Sequence, residues 1–291
     1  MKQPDSIPKA PVSEAKAGVS ARQPIDFDLQ EQLRQRFNPD GSMLRRQQLR
    51  MLELLLEVDR ICRKHHISYW LSSGTLIGAA RHGGFIPWDD DLDIEMLLPD
   101  YRRLMAILPQ ELPNTMALQT HQTDPSYFFC YAKVRDRRSI LNEGNNYDRV
   151  WREQGIYIDI FPMEKQRLWV HKLSEATIGH MYKVWRTSTD DRKALRTVQR
   201  IFNLNVRWLH PVYRVLNRLL GGHIITSGLG IPYHNPRLKA DIFPLSTLSF
   251  EGYDLPVPHD YDHHLRLIYG DYMHLPDLNS ISSHVSRLEF L

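Results

Sequence analysis

An acidic run set among apolar residues is the feature that most constrains how this chain folds. Six acids lie between Asp89 and Asp100 with no base among them. Successive side chains of an extended strand point to opposite faces, so Asp91, Asp93 and Glu95 would share one face. Like charges on one face raise each other's pKa and oppose ionisation. The pattern therefore predicts a half-buried strand whose carboxylates bind a divalent cation, with a solvated acidic loop as the alternative.

A small-residue turn precedes the acidic run. The segment from Ile67 to Leu71 is short, β-branched and aromatic, which is typical of a buried strand, and the pattern predicts a short helix at residues 76–81. The turn between them reads Ser-Ser-Gly-Thr. Backbone N–H groups at such a strand, turn and helix junction favour an anion such as phosphate. The same four residues are also an ordinary helix cap, so both interpretations stay open.

A second acid lies in an apolar segment further along the chain. Between Gly155 and Pro162, the residues on either side of Asp159 are apolar. A lone buried carboxylate is costly unless it is paired, hydrogen-bonded or bound to a metal. Asp159 is therefore a candidate third metal ligand, and a buried acid satisfied by backbone donors is the alternative.

These motifs carry a resemblance to a known family. A Gly-[Ser/Thr] turn, an Asp-apolar-Asp strand and a later apolar-Asp-apolar strand are similar to the nucleotidyltransferase superfamily. Two segments resemble sequences of the LicD family, which includes bacterial phosphocholine transferases and fukutin-related proteins. They are GTLIGAARHGGFIPWDDDLDIEM and GIYIDIFP. The C-terminal wording FPLSTLSFEGYDLPVPHDYDHHLRLIYGDYMHLP resembles that family's closing segment. The matched stretches cover residues 69–101, 155–163 and 239–276.

The resemblance implies an enzyme. The expected reaction is a metal-dependent transfer of phosphocholine, or a similar phosphoalcohol, from a CDP-linked donor to a hydroxyl of a cell-surface glycan of the lipopolysaccharide or teichoic-acid type. A nucleotidyltransferase or a mannosylphosphate-type transferase on the same fold is the alternative. A nucleic-acid binder is a third class, but the sequence holds no nucleic-acid motif, so we expect no nucleic-acid partner.

The resemblance also assigns roles to the acids. Asp91 and Asp93 would hold the metal, which we expect to be Mg²⁺ or alternatively Mn²⁺. Asp159 would be the third carboxylate, either as a ligand or as the base that takes a proton from the acceptor. Asp89 and Asp90 match the family's triple-Asp wording, and we expect them to support the ligands or the turn.

Substrate contacts follow from the same resemblance. Gly74 and Thr75 would lie at the diphosphate of the donor. Arg81 and His82 lie at the mouth of the loop that precedes the acids and would contact phosphate. An Arg that closes a short helix also compensates the helix dipole, which is the alternative role for Arg81.

We expect an α+β fold, with a nucleotidyltransferase-like mixed sheet flanked by helices and an inserted basic helical region. The predicted segments are a mostly disordered tail at residues 1–40, the catalytic core at 41–163, the basic helical insertion at 164–238, and a C-terminal segment at 239–291 that packs on the core. Proline-rich composition without aromatic residues marks the start of the tail.

The insertion is basic, with twelve Lys and Arg residues against four acids between Phe161 and Leu220. Its predicted helices, at residues 168–185 and 194–220, carry Trp and Tyr among the bases. Such helices suit peripheral contact with an anionic membrane. A helical subdomain with core aromatics and solvated bases is the alternative, and the two stay open.

Composition limits the compartment. Two cysteines, Cys62 and Cys130, are too few for a disulfide framework, and the first residues lack the apolar core of an export signal. No continuous apolar segment is long enough for a membrane span. We therefore expect a cytoplasmic protein, with the inner face of the membrane as a peripheral location.

Overall fold

The computed structural model describes residues 25–144, 147–233, 235–281 and 285–291. The predicted disordered tail spans residues 1–40; residues 1–24 lie outside the described ones, and Phe27–Phe37 forms helix α1. Helix α2 spans Met43–Lys64, and its buried apolar residues recur at steps of three and four residues, as on one face of an amphipathic helix. Its N-terminus is capped by the Ser42 hydroxyl, which accepts a hydrogen bond from the Arg45 N–H at 3.2 Å.

The turn and the acidic run form a compact block of four elements. Its strands and helices, in chain order, are β1 (Trp70–Leu71), α3 (Ser73–His82), β2 (Asp93–Leu97) and α4 (Leu98–Glu111). Strand β1 is shorter than predicted and α3 begins three residues earlier than predicted. The strand predicted to include Asp91 begins only at Asp93. Asp91 therefore belongs to the loop before β2.

The central sheet is mixed. Its remaining strands are β3 (Met116–Gln119), β4 (Ala132–Asp136), β6 (Tyr157–Gln166) and β7 (Ile224–Ser227). The strand order is β1-β2-β6-β4-β3, and β7 pairs with the end of β6. Strands β2 and β6 run parallel, while the other pairs in the sheet are antiparallel. The predicted mixed sheet flanked by helices is thus confirmed.

Two further antiparallel pairs complete the strands of the described residues. Strand β5 (Ser139–Glu143) pairs with β10 (Val285–Phe290), and β8 (Ser246–Phe250) pairs with β9 (Tyr253–Val257). Helices α8 (Lys239–Ile242) and α9 (Tyr261–Tyr269) lie on either side of the second pair in sequence. Residues from β8, β9 and α9 join the main core with α2 and the sheet. The C-terminal segment therefore packs on the sheet.

The basic region is helical. Its elements are α5 (Leu168–Thr187), α6 (Asp191–Leu204), a π-helical turn at Asn205–Leu209 and α7 (His210–Leu219). Pro211 is the second residue of α7, which directly follows the π-helical turn. A second core joins α5 and α6 to the Phe128 ring. Strand β7, which follows α7, returns to the central sheet. The division of the chain at residues 40, 163 and 238 stays a prediction.

None of the helices in the described ranges is long and apolar enough to cross a membrane.

Candidate active site

Three neighbouring strands bring charged side chains into one row. Asp93 of β2 lies opposite Asp159 of β6, and Asp159 lies opposite Lys133 of β4. The Lys133 ammonium donates a hydrogen bond to Asp159 Oδ1 at 2.7 Å. Lys133 is 2% exposed and Asp159 is 8% exposed. The strand register therefore places two carboxylates and one ammonium side by side in the sheet.

The loop before β2 adds further carboxylates to this row. Burial, and then the charges of Asp91, Asp159 and Asp89, raise the pKa of Asp93 well above its usual value. Burial and the charges of Asp91 and Asp90 likewise raise the pKa of Asp89. We call Asp89, Asp91, Asp93 and Asp159 the acid cluster. The structure thus brings together the acids that the sequence assigned to one site.

Asp159 is hydrogen-bonded to a cation, the Lys133 ammonium. Burial raises its pKa to about 6, although the Lys133 ammonium opposes that rise. The charges of Glu143 and Asp91 raise it further. A carboxylate with a pKa near neutrality can accept a proton and release it again at physiological pH.

The acid cluster has the donor chemistry of a site for a hard divalent cation, because carboxylate oxygens are the ligands that Mg²⁺ prefers. Its mutual repulsion is also what a bound cation would relieve. Among the described residues, no three His, Cys, Asp or Glu side chains are already assembled as a ligand set. Asp159 Oδ1 instead accepts from Lys133. Asp91 and Asp93 remain the pair that the predicted metal role fits.

Two buried glutamines of α2 hold the acidic loop. The Gln47 amide donates to the Asp90 carbonyl oxygen at 2.7 Å, and the Gln48 amide donates to the Asp89 carbonyl oxygen at 2.9 Å. Gln48 in turn accepts from Asn38 Nδ2 at 2.6 Å. Hydrogen bonds from α2 therefore fix the backbone that carries the acids. No sequence signal distinguished these glutamines from other polar residues of an amphipathic helix.

Gly74 and Thr75 lie against the acid cluster. A side chain at Gly74 would approach Asp89 Oδ2 to 2.6 Å, so a larger residue there would displace that carboxylate. The Thr75 hydroxyl accepts a hydrogen bond from the Asp93 N–H at 2.9 Å. In this structure both residues position acids, and the diphosphate contact predicted for them stays a prediction.

Arg81 and His82 lie in a different network. Arg81 donates to the carbonyl oxygens of Tyr272 (2.6 Å) and His274 (3.1 Å), and its Nε donates to His82 Nε2 at 2.9 Å. The other His82 nitrogen contacts Gln30 Oε1 at 2.5 Å. Burial lowers the pKa of His82 to about 3, with the Arg81 charge acting in the same direction. These side chains join α1 and the C-terminal segment to α3, and their predicted phosphate contact stays a prediction.

Glu95 has a structural partner. It is 3% exposed and binds the Arg237 guanidinium at 2.7 Å, while the Trp70 indole N–H donates to it at 3.1 Å. Burial raises the pKa of Glu95, but Arg237 outweighs that effect and lowers it overall. Glu95 is therefore a charge-paired acid of the sheet, distinct from the acid cluster.

A cavity of about 410 Å³ opens beside the acid cluster. Its charged lining includes Asp91, Lys133 and Asp159. The rest of the wall is largely aromatic, with contributions from Phe129, Tyr131, Tyr147, Tyr157, Tyr182 and Tyr233. The Lys133 ammonium already lies 3.3 Å from the centroid of the Tyr157 ring. The aromatic faces of this cavity thus accommodate a cation in the structure itself.

Part of this wall could have been found in the sequence. Tyr131 and Lys133 are two residues apart on β4, and Tyr157 and Asp159 are two residues apart on β6. Since alternate residues of a strand share a face, both tyrosines follow from the positions of the charges. Tyr182 and Tyr233 come from α5 and from the segment after β7, and no local pattern links them to the strands.

Comparison with known proteins agrees with the motifs. A family model described as "LicD/FKTN/FKRP, nucleotidyltransferase domain" matches residues 66–194, which include the entire acid cluster. The chain is similar to the lipopolysaccharide cholinephosphotransferase LicD of Haemophilus influenzae, with 28% identity over 253 residues, or 80% of this chain and 92% of that protein.

Two more distant relatives match shorter stretches. The ribitol 5-phosphate transferase FKRP of Homo sapiens is 56% identical over 34 residues, which is 12% of this chain and 7% of that protein. The mannosyltransferase regulator 4 of Saccharomyces cerevisiae is 29% identical over 116 residues, or 39% of this chain and 10% of that protein. The chain thus carries a LicD-family domain, and the family predicted from its motifs is confirmed.

Proposed function

We propose that the chain transfers phosphocholine, or a closely similar phosphoalcohol, from a CDP-linked donor to a hydroxyl of a cell-surface glycan. The observation that carries this proposal is the position of the acid cluster on the edge of a cavity with aromatic walls. The acids suit the phosphate end of the donor, and the aromatic rings suit its cationic end. The sheet that carries them would be of the nucleotidyltransferase type named for the matched domain.

Asp91 and Asp93 would hold Mg²⁺ or Mn²⁺ at the phosphate end. A bound divalent cation neutralises charge on phosphate oxygens and favours departure of the nucleotide. The pKa values support this assignment, because burial and then repulsion among the described acids raise the pKa of Asp93 and of Asp89. The Asp89 carboxylate, which lies against Gly74 at the N-terminus of α3, would support Asp91 and Asp93.

Asp159 would accept the proton of the attacking hydroxyl. Its pKa of about 6 keeps it ionised at neutral pH and able to take up a proton during the reaction. Lys133, which donates to Asp159 at 2.7 Å, orients the carboxylate and balances its charge. Carboxylate and lysine would thus work as one unit.

The aromatic wall favours a cationic alcohol over a neutral one. Quaternary ammonium groups bind over the faces of Tyr and Phe rings, and neighbouring carboxylates strengthen that attraction. The cavity supplies both, with Glu143 among the acids of its lining. The similarity to the Haemophilus cholinephosphotransferase, which spans 92% of that protein, points the same way.

We place this reaction in the cytoplasm. Cys62 and Cys130 are both free thiols, which suits a reducing compartment.

A donor panel tests the proposal. The purified chain is incubated with Mg²⁺, a glycan acceptor extract and, in turn, CDP-choline, CDP-ribitol and nucleotide-linked mannose, and nucleotide release is measured. We expect CMP release from CDP-choline that requires both the acceptor and the metal. Turnover of CDP-ribitol or of the mannose donor alone would identify another reaction of the same fold, and no turnover of any donor would contradict the transferase assignment.

A further inference from the structure

The helices between residues 191 and 219 carry an apolar face that the core does not use. Five large side chains on them are strongly exposed: Leu204 (54%), Trp208 (69%), Val212 (60%), Val215 (57%) and Leu219 (77%). They are separated by four, four, three and four residues. This spacing puts them on one side of the continuous helical segment formed by α6, the π-helical turn and α7. We call these five residues the apolar stripe.

The opposite side of the same segment packs in the protein core. Val198 and Phe202 of α6 pack in the cluster that contains Trp185. Tyr213 of α7 packs with Val170, and Leu209 and Leu216 pack against them. The helices are therefore held in place without the stripe. A second apolar face on a helix that is already packed indicates a binding surface.

The charge around the stripe has a single sign. The sequence contains no Asp or Glu between Asp191 and Asp241. Arg200, Arg207 and Arg218 are exposed and lie seven and eleven residues apart, which places them along one edge of the stripe. We call these three residues the arginine edge.

The first turns of α5 extend the apolar surface. Arg167, which precedes α5, donates to the Leu220 carbonyl oxygen at 3.0 Å and so holds the start of α5 at the end of the stripe. Trp169 and Leu173, one turn apart on α5, are 52% and 42% exposed. Tryptophan at the boundary of an apolar surface is typical of helices that lie in a membrane interface.

We propose that the apolar stripe docks on an anionic lipid surface, with the arginine edge among the lipid headgroups. The stripe is about 22 Å long at 1.5 Å per residue, which suits a helix that lies in the plane of the interface. A second copy of the chain is a poorer partner, because two such surfaces facing each other would bring cations together with no acid between them. Membrane docking goes beyond the proposed transfer reaction and does not depend on it.

The docking helices also line a second cavity. A cavity of about 640 Å³ has Val206, Arg207 and Pro211 in its wall. Phe129 and Tyr131 line this cavity and also the smaller one beside the acid cluster. The two cavities therefore share these two rings, and the larger cavity lies beside the docking surface.

Vesicle co-sedimentation of the 291-residue chain tests the proposal. The vesicles contain phosphatidylcholine alone or an equal mixture of phosphatidylcholine and phosphatidylglycerol. We expect binding to the mixed vesicles that weakens with added salt, and at least tenfold weaker binding to the neutral vesicles. Because Val212 and Val215 are exposed, the double variant Val212→Asp/Val215→Asp should fold normally and lose binding at least tenfold. Arg207→Glu/Arg218→Glu should also bind weakly.

Matched controls separate docking from general stickiness. Leu267 is 46% exposed on α9, outside the stripe, so Leu267→Ser should bind mixed vesicles as the unaltered chain does. Absence of binding to mixed vesicles, or unchanged binding of the Val212→Asp/Val215→Asp variant, would overturn the proposal. So would a dimer in sedimentation velocity that dissociates in this variant, because the stripe would then be a protein interface. Donor turnover, measured separately, is not expected to change in the stripe variants when the acceptor is soluble.

Discussion

The central sheet and the basic helices depart from the usual distribution of side chains in opposite directions. In the sheet, Asp159 and Lys133 are charged residues that are 8% and 2% exposed. In the helices, Trp208 and Leu219 are apolar residues that are 69% and 77% exposed. The acid cluster around Asp159 leaves like charges close together, and the helices leave apolar surface exposed to water. We infer that both regions are shaped by something they bind: a cation and phosphate in the sheet, and lipid along the helices.

A further contrast lies within the sheet itself. Asp93 and Glu95 are two residues apart on the same strand and share a face. The Arg237 guanidinium, 2.7 Å away, lowers the pKa of Glu95, whereas surrounding acids and burial raise the pKa of Asp93. One acid therefore contributes to stability and the other reduces it. We infer from this difference that Glu95 serves the fold and that Asp93 is available for chemistry.

The largest effect is expected at Asp93. Asp93→Asn removes a carboxylate proposed to hold the metal, so donor turnover should fall by about 10²–10³-fold or more. The same change relieves repulsion in the acid cluster, so the melting temperature without metal should stay equal or rise by about 2–4 °C for each 1 kcal/mol gained. Turnover assays and thermal denaturation measure the two effects. Asp254→Asn, at an exposed acid, is the control, and full activity in Asp93→Asn would break the contrast with Glu95.

At Glu95, the acid paired with Arg237, we expect a loss of stability instead. Arg237→Met leaves the Glu95 carboxylate buried without its partner, which should lower the free energy of unfolding by about 3–5 kcal/mol. The double variant Glu95→Gln/Arg237→Met should recover much of this loss, because the amide is uncharged and still accepts from Trp70. Denaturant unfolding measures both variants. Equal stability of the single and double variants would show that the ion pair is not what holds Glu95.

Two tryptophans sharpen the contrast within the basic helices. Trp185 is fully buried beside Phe128, with ring centroids 5.3 Å apart, whereas Trp208 is 69% exposed. Trp185→Ala should cost about 3–5 kcal/mol of stability. Trp208→Ala should change stability by less than about 0.5 kcal/mol and weaken vesicle binding. A large loss of stability in Trp208→Ala would mean that the stripe belongs to the core.

A pH dependence of stability is also expected at His82. Its pKa is about 3 in the folded chain and about 6.5 when unfolded, so the unfolded state takes up a proton first as pH falls. Stability should therefore decrease from pH 6.5 towards pH 3, with a slope from this group of at most about 1.4 kcal/mol per pH unit. His82→Gln should flatten the curve in that window. An unchanged slope would place the protonation elsewhere.

The sequence was most informative where the pattern is local. Alternation of Asp93 with apolar residues, and the apolar neighbours of Asp159, predicted two strands that the structure pairs directly. The helix at Met43–Lys64 follows from its periodicity. Asp91 was predicted to lie on the same strand as Asp93, but that strand begins at Asp93. The start of a strand depends on pairing with neighbouring strands, which alternation alone does not reveal.

Long-range contacts could not be predicted in the same way. The partner of Glu95 lies 142 residues away, and the aromatic wall combines residues from β4, β6, α5 and the segment after β7. Such contacts depend on how elements pack, which no short window of sequence contains. The basic helices show the same limit: the sequence left open whether their aromatic residues lie in a core or at a membrane, and only the fold shows that Trp185 is buried and Trp208 is exposed.

Thermal denaturation with Mn²⁺ tests most directly whether the acid cluster holds a metal. A cation that binds only the folded state raises the melting temperature as its concentration increases. We predict such a rise for the unaltered chain, reversal by a chelator, and little or no rise for Asp91→Asn/Asp93→Asn. A melting temperature that Mn²⁺ leaves unchanged, or raises equally in this double variant, would contradict the assignment of the metal to these two carboxylates.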